Sequence, residues 1–319
     1  MFAKIAGTGS ALPARVIDNL EISRGVDTSD EWIRTRTGVC TRHVVREETA
    51  VSMAVSAARK AIEDAGMKPE EIDMIIVSTV SAEQILPCVA CEVQSEVGAV
   101  NAAAFDVNAA CTGFITAYQL AAGQMRAGLI ETALLIGVEC LSNLVDWTDR
   151  STCILFGDGA GAAVVKADRN CEMSALPMVL RANGAKGNVL TCGSGLGGEN
   201  AVYGKSIRMN GKEIYRFAVK EVPAVIQEIL LRCGHEAGEI DLYILHQANR
   251  RIIEAIAKRL HIDESRFPMN LMETGNMSSA SIPVLLDELN KSGRLKPGMR
   301  IILAGFGAGL TWGGFYLEW

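Results

Sequence analysis

The chain repeats itself. Ala65-Gly-Met-Lys-Pro-Glu-Glu-Ile-Asp-Met-Ile-Ile-Val77 resembles Cys233-Gly-His-Glu-Ala-Gly-Glu-Ile-Asp-Leu-Tyr-Ile-Leu245. Gly66, Glu71, Ile72 and Asp73 return as Gly234, Glu239, Ile240 and Asp241, an offset of 168 residues. The same offset pairs Asn108 with Asn276, and Ala133-Leu-Leu-Ile-Gly137 with Ile301-Ile-Leu-Ala-Gly305. In each copy a helical stretch stops at a glycine, which suits a left-handed helix terminus. The Ile-Asp-hydrophobic run after it reads as a short buried strand.

Strand and helix patterns alternate within each copy. Ala103–Val107 reads as a strand, Thr112–Arg126 as an alanine-rich helix and Ala133–Gly137 as a further strand. In the second copy helices are expected over Arg250–Leu260 and Ile282–Leu289, and a strand over Ile301–Ala304. Such alternation predicts an α/β fold with parallel-type sheets covered by helices. Two stacked halves are expected, residues 1–170 and 171–319, dividing near Asp168–Ser174 with no Pro- or Ser-rich linker. With 319 residues, 49% of them hydrophobic, the chain can bury a sizeable core without staples.

A net charge of -6 argues against a general nucleic-acid or anionic-membrane binder. No signal-peptide pattern opens the chain, and apolar runs such as Ala133–Val138 fall far short of the roughly 20 residues that span a bilayer. The expected location is cytoplasmic. Nine cysteines in a chain of this length read as mostly buried reduced thiols, with room for one reactive one.

Two motifs carry little. Gly193-Ser-Gly-Leu-Gly-Gly198 fits G-x-G-x-x-G, but the residues after it read as loop, whereas a dinucleotide site needs a helix opening there. Cys88-Val-Ala-Cys91 lacks nearby ligands that would complete a zinc site, and reads first as two small helix side chains, with a redox pair as the alternative.

Three residues carry more. Cys111 follows the Ala103–Val107 strand and begins a helix, where the dipole favours a thiolate. His246 ends the Leu242–Leu245 strand, at the kind of carboxyl end where α/β sheets place ligands. Asn276 sits in a turn before a helix and is the repeat partner of Asn108, three residues before Cys111. The repeat therefore brings Cys111, His246 and Asn276 to one interface. Gly305-Phe-Gly-Ala-Gly-Leu-Thr-Trp-Gly313 adds bare backbone where amides can approach a ligand. A nucleophile, two side-chain donors and amides suit acyl transfer through a thioester. A papain-like Cys-His-Asn hydrolase is the remote alternative, disfavoured by the duplicated pattern and by the absence of its cysteine motif.

The motifs Ala109-Ala-Cys-Thr-Gly-Phe114, His246-Gln-Ala-Asn249 with Arg251-Ile252, and Gly275-Asn-Met-Ser-Ser279 then become specific. With the 305–313 run, Phe156-Gly-Asp-Gly-Ala-Gly161 and Asp30-Glu-Trp-Ile-Arg-Thr-Arg-Thr-Gly38, they resemble the β-ketoacyl-acyl-carrier-protein synthase III family over the whole chain. The resemblance implies a thiolase-like five-layered αβαβα duplication. It implies a decarboxylating condensation of an acyl-CoA primer with malonyl-acyl carrier protein, with no separate cofactor and no metal. Cys111 would be the nucleophile, His246 and Asn276 the donors at the enolate, and the amides of Cys111 and Ala308 the second oxyanion hole. Ala308 stands where glycine is common.

By the same resemblance Thr28, Trp32, Arg36 and Arg150 would contact the CoA nucleotide, and Gly211, Tyr215, Ala248 and Asn249 its pantetheine arm. Ser151 and Tyr215 replace a common glycine and phenylalanine. Gln247, Arg251, Arg216, Lys258 and Arg259 would dock the acyl carrier protein. Leu86, Phe156 and the 188–209 segment would shape the acyl pocket, and the enzyme would be a homodimer. A related synthase of specialised metabolism with another acceptor is the runner-up. The primer stays open between acetyl and branched starters.

Overall fold

A computed structural model describes residues 2–168, 177–194 and 203–319. The first sheet contains β1 (Phe2–Ala11), β2 (Met74–Ser78), β3 (Ala103–Val107), β4 (Thr132–Glu139) and β5 (Gly159–Asp168), in the order β1-β5-β4-β2-β3. The second contains β6 (Met178–Ala182), β7 (Leu242–Leu245), β8 (Arg300–Gly307) and β9 (Thr311–Glu318), in the order β6-β9-β8-β7. One order is the other with an extra edge strand. The expected parallel character needs correcting. β2 is parallel to β3 and β4, and β7 to β8, but β1 and β5, like β6 and β9, run antiparallel.

Helices fill the space between and outside the sheets. α1 (Asp30–Thr37) lies beside the layers, and α2 (Ala50–Asp64) and α3 (Val89–Val97) cover the outer face of the first sheet. α4 (Gly113–Arg126) and α7 (Ser281–Lys291) lie between the sheets, while α5 (Gly211–Cys233) and α6 (Arg250–Leu260) cover the second. The stack is α/β/α/β/α. Alternate residues of β4 serve both neighbours: Ala133 and Leu135 face the central helices, Leu134, Ile136 and Val138 face α2 and α3. A strand buried on both faces explains its unbroken apolar run.

The repeat motif has a mechanical reason. Glu71 accepts from the Lys68 amide at 2.7 Å, and Glu239 from the Glu236 amide at 2.8 Å, each closing a short 3-10 turn. Asp73 then accepts from the Thr132 amide at 2.9 Å, and Asp241 from the Arg300 amide at 2.8 Å, each pinning the start of the neighbouring strand. Gly66 and Gly234 take φ of 61° and 72° at the helix ends before them.

The expected division at 170/171 falls within residues 169–176, outside the described residues. So do residues 195–198 of the glycine-rich run. No described helix is long and apolar enough to cross a membrane. Among the described residues no cluster of three or more His, Cys, Asp or Glu has metal-holding geometry, and Cys88 and Cys91 are free thiols with their sulfurs 3.4 Å apart.

Candidate active site

The two halves meet at a pair of tight turns. Ala110 precedes Cys111 with φ 45°, and its repeat partner Ser278 takes φ 44°. For a residue with a Cβ this left-handed conformation is uncommon, and here it occurs twice at equivalent places. The 3-10 turns Ala110–Thr112 and Ser278–Ala280 pack against each other and lead into α4 and α7. Cys111 and Ser279 are therefore counterparts across the pseudo-two-fold.

Ser278 ties the site together. Its amide donates to Asn276 Oδ1 at 2.9 Å, and its carbonyl accepts from Ser281 Oγ at 2.9 Å. Ser281 Oγ in turn lies 2.7 Å from His246 Nδ1. Because Asn276 Oδ1 is taken by that amide, the Nδ2 group is the free end of the carboxamide. Neither Asn276 Nδ2 nor His246 Nε2 makes a hydrogen bond among the described residues. Ser278 Oγ is buried without a partner of hydrogen-bond geometry.

Glycines let the strand end approach the nucleophile. A β-carbon on Gly307 would lie 2.7 Å from Cys111 Cβ and 3.1 Å from its Sγ. One on Gly305 would lie 3.3 Å from the Cys111 carbonyl oxygen and 3.7 Å from His246 Cβ. Cys111, Ala308, Ser278, Asn108 and Phe156 line one cavity of about 790 Å³. Ala308 needs no left-handed backbone; the neighbouring Gly309, with φ 135°, absorbs it. Alanine is therefore tolerated at this position, and its amide has no hydrogen-bond partner among the described residues.

The electrostatics correct one expectation. Burial pushes the Cys111 thiol up to about 12, the charge of Glu139 adds to this, and the Ser278 hydroxyl opposes it. The dipole does not win, because α4 begins only at Gly113 and Cys111 is buried. His246 is also buried, and desolvation lowers it to about 3, so the imidazole is neutral. Glu139 sits behind both turns, fully buried, and accepts from Ser279 Oγ at 2.9 Å, Ser81 Oγ at 2.6 Å and the Val80 amide at 3.1 Å. Burial raises its pKa while those donors offset part of the cost. Ser278, Ser281 and Glu139 are not singled out by the sequence; a serine or acid beside a helix start looks like a cap.

The expected nucleotide contacts cluster at one surface. Arg150 lies over the Trp32 ring at 4.9 Å and Arg36 at 5.9 Å. Arg150 also donates to the Asp27 carbonyl at 2.7 Å, and the Thr28 hydroxyl nearby in sequence is buried and unpartnered. An adenine between Trp32 and Arg150 would have to open their direct contact. Asn249 caps α6 through the Arg251 amide and donates to the Arg36 carbonyl at 3.0 Å, so both ends of its side chain are committed to holding α1 against α6. Ala248 follows it, Gly211 opens α5, and Tyr215 stands under Arg251 at 5.8 Å.

Two expected positions are overturned. Gln247 cannot dock a partner: it is fully buried, donating to the Leu245 and Pro268 carbonyls and accepting from the Asn270 amide. Leu86 does not line the cavity of its own chain; it is 83% exposed, at the end of a loop whose Val80–Ile85 portion forms one cavity wall. Arg216, Arg251, Lys258 and Arg259 are exposed, Arg216 paired with Glu213 and Arg259 donating to the Val219 carbonyl.

Comparisons with known proteins bear on the fold and the family. Residues 105–184 match the family model described as 3-Oxoacyl-[acyl-carrier-protein (ACP)] synthase III, and residues 230–319 match its C-terminal counterpart. The chain is 45% identical over 322 residues to the beta-ketoacyl-[acyl-carrier-protein] synthase III of Clostridium botulinum strain Okra, covering 99% of this chain and 98% of that protein. The crystal structure of 3-oxoacyl-[acyl-carrier-protein] synthase III from Aquifex aeolicus superposes with a TM-score of 0.93 at 41% identity, covering 99% and 100% of the two chains. The priming beta-ketosynthase of the R1128 polyketide biosynthetic pathway does so at 0.93 and 36%, covering 99% and 96%. With its thiolase-like stack and its cysteine, imidazole and carboxamide gathered at the seam of two repeats, the chain belongs to the 3-oxoacyl-[acyl-carrier-protein] synthase III family.

Proposed function

We propose that the enzyme condenses an acyl-CoA primer with malonyl-acyl carrier protein, giving 3-oxoacyl-acyl carrier protein, CoA and carbon dioxide, as the opening step of fatty acid synthesis. Cys111 attacks the primer thioester and keeps the acyl group while CoA leaves. Malonyl-acyl carrier protein then loses carbon dioxide, and its carbanion attacks the acyl-enzyme. Negative charge gathers on the malonyl thioester oxygen, and His246 with Asn276 would donate to it. The amides of Cys111 and Ala308 would hold the acyl carbonyl oxygen. The observation that carries this reading is the fixed carboxamide: the Ser278 amide takes Asn276 Oδ1, leaving Nδ2 as a donor that cannot titrate.

Trp32, Arg36, Arg150 and Thr28 are assigned to the nucleotide of CoA, and Gly211, Tyr215, Ala248 and Asn249 to its pantetheine path. Arg251, Lys258, Arg259 and Arg216 are assigned to carrier docking. The two halves, 1–170 and 171–319, would divide the work, one supplying the nucleophile and the other the donors. A homodimer fits the surface as well. β3 is an edge strand, and Ile85 and Leu86, 67% and 83% exposed, precede the helix packed on it. This reading calls for no separate cofactor and for a cytoplasmic enzyme.

Cys111→Ala should abolish acyl-enzyme formation from labelled acyl-CoA. His246→Ala and Asn276→Ala should still acylate but release carbon dioxide from malonyl-acyl carrier protein about 100-fold more slowly. A labelled adduct in the first variant, or normal decarboxylation in the others, overturns the roles. The likeness to the R1128 ketosynthase supports a second reading, the same chemistry in a specialised pathway, which a preference for a different carrier protein would reveal.

A further inference from the structure

Ser281 Oγ occupies a junction that the sequence motifs do not mark. It lies 2.7 Å from His246 Nδ1 and donates to the Ser278 carbonyl at 2.9 Å, while the Gln247 amide donates to it at 3.4 Å. Ser281 is fully buried, and His246, Gln247 and Ser278 are buried around it, so bulk water does not compete for these bonds. The hydroxyl has no counterpart in the other half. The repeat partner of Ser281 is Gly113, and that of His246 is Ser78.

A hydroxyl has one proton, which rotates to suit its partners, and two acceptor lone pairs. With the proton aimed at the Ser278 carbonyl, Oγ accepts from Nδ1–H, and the neutral imidazole presents a bare Nε2. With the proton turned to Nδ1, the other tautomer forms and Nε2 carries the N–H. No heavy atom moves between the two arrangements. A carbonyl or carboxylate in that place would accept only and would fix the Nδ1–H form.

The reaction proposed above makes opposite demands on Nε2. Cys111 is a buried thiol, so acylation needs an acceptor for its proton. Decarboxylation needs a donor to the enolate oxygen. We propose that Ser281 is a positioning residue that holds His246 by Nδ1 in one ring orientation while admitting both tautomers. The proposal rests on the functional reading above.

The protons balance as follows. In acylation the Sγ–H proton passes to Nε2, sulfur bonds to the thioester carbon, the carbon–sulfur bond to CoA breaks, and the CoA sulfur takes the proton from Nε2. Between the two steps the ring exchanges protons with water, losing the one on Nδ1 when that buried contact transiently opens and gaining one at Nε2 from the cavity side, and the Ser281 hydroxyl then donates to Nδ1. In the second step the carboxylate leaves as carbon dioxide and the enolate carbon bonds to the acyl carbon. Cys111 sulfur departs and takes the proton from Nε2, and the ring takes up at Nδ1 the one proton that the overall condensation consumes, which restores the starting tautomer.

The test uses the full-length enzyme with 15N-labelled histidine and long-range 1H–15N NMR of His246. The expected pattern is protonation at Nδ1 in the free enzyme and at Nε2 once Cys111 carries an acyl group. One tautomer in both states overturns the proposal, whatever the variants do. Ser281→Ala and the near-isosteric Ser281→Cys should each slow both acylation and malonyl decarboxylation by about tenfold. Both should also lose the tautomer change while staying folded, Ser281→Ala at a lower melting temperature because buried His246 Nδ1 and the Ser278 carbonyl lose their partner. A folded variant that keeps both half-reactions and the NMR change rules the role out. Should the wild-type enzyme acylate but never decarboxylate malonyl-acyl carrier protein, the functional reading falls instead, and the NMR comparison still decides what Ser281 does.

Discussion

Cys111 rests as a thiol, its pKa raised to about 12 by burial. Its sulfur is buried at the cavity wall, Glu139 presses negative charge toward it from behind, and only the Ser278 hydroxyl and the backbone of Cys111 itself work the other way. Neutral His246 offers no positive charge to hold a thiolate, since burial lowers it to about 3. The sign is therefore set: Cys111 gains its negative charge only as pH climbs toward about 12. Alkylation of the free enzyme by iodoacetamide, followed by mass spectrometry at Cys111, should rise about tenfold per pH unit from 7 to 10, since only the thiolate reacts. A plateau below pH 9 would show a stabilised thiolate and refute this account. At this scale the sequence marks residues to test and says little about their state. Cys111, His246 and Asn276 stand in motifs, and the repeat brings them together. That Cys111 is desolvated, or that Gln247 turns inward beside an outward Arg251, depends on side-chain facing that adjacent letters do not encode.

The elements explain why so small a site can be so crowded. β8 ends against the nucleophile, and it does so on glycines. A methyl at Gly307 would fall 2.7 Å from Cys111 Cβ and 3.1 Å from Sγ, closer than packed atoms tolerate. Gly307→Ala should therefore displace Cys111 and cut the rate of acyl-enzyme formation by about 100-fold, the size of loss that small misplacements produce. Gly123→Ala is the control. It lies inside α4 with nothing within 4 Å of the added carbon, so it should leave activity unchanged and stabilise by about 0.5–1 kcal/mol. Circular dichroism melts and intact mass after acyl-CoA exposure measure both effects. If Gly307→Ala acylates at the normal rate, the close approach is not what positions the sulfur. The strands β2, β3, β4, β7 and β8 and helices such as Arg250–Leu260 were readable, and the pairings of those strands with one another are parallel as expected. β1, β5, β6 and β9 were not read as strands: Gly159-Ala-Gly-Ala-Ala163 in β5 and Gly313-Gly314 in β9 are small residues that carry little strand preference.

Across the whole molecule the charges are unevenly placed. The chain carries -6 overall, yet α6 and the start of α5 expose Arg251, Lys258, Arg259 and Arg216 on one side. Two of these are occupied, Arg216 by Glu213 and Arg259 by the Val219 carbonyl. Arg251 lies over the Tyr215 ring at 5.8 Å and has no ion pair among the described residues. It stands two residues from Asn249, which holds α1 and α6 together below the proposed CoA entrance. An acidic carrier protein delivering its thioester there would meet Arg251, and a positive patch on an acidic protein draws such a partner in while the rest repels it. Arg251→Glu reverses that charge without touching Cys111, His246 or Asn276. The expected outcome is a KM for malonyl-acyl carrier protein raised about tenfold, with kcat and the KM for acyl-CoA nearly unchanged, and a weaker dependence of kcat/KM on salt. Steady-state kinetics for both substrates at low and high ionic strength separate the cases. Equal rises for the two substrates would mean that Arg251 serves the shared entrance through Tyr215 and α6, and the docking face would have to lie elsewhere on the molecule.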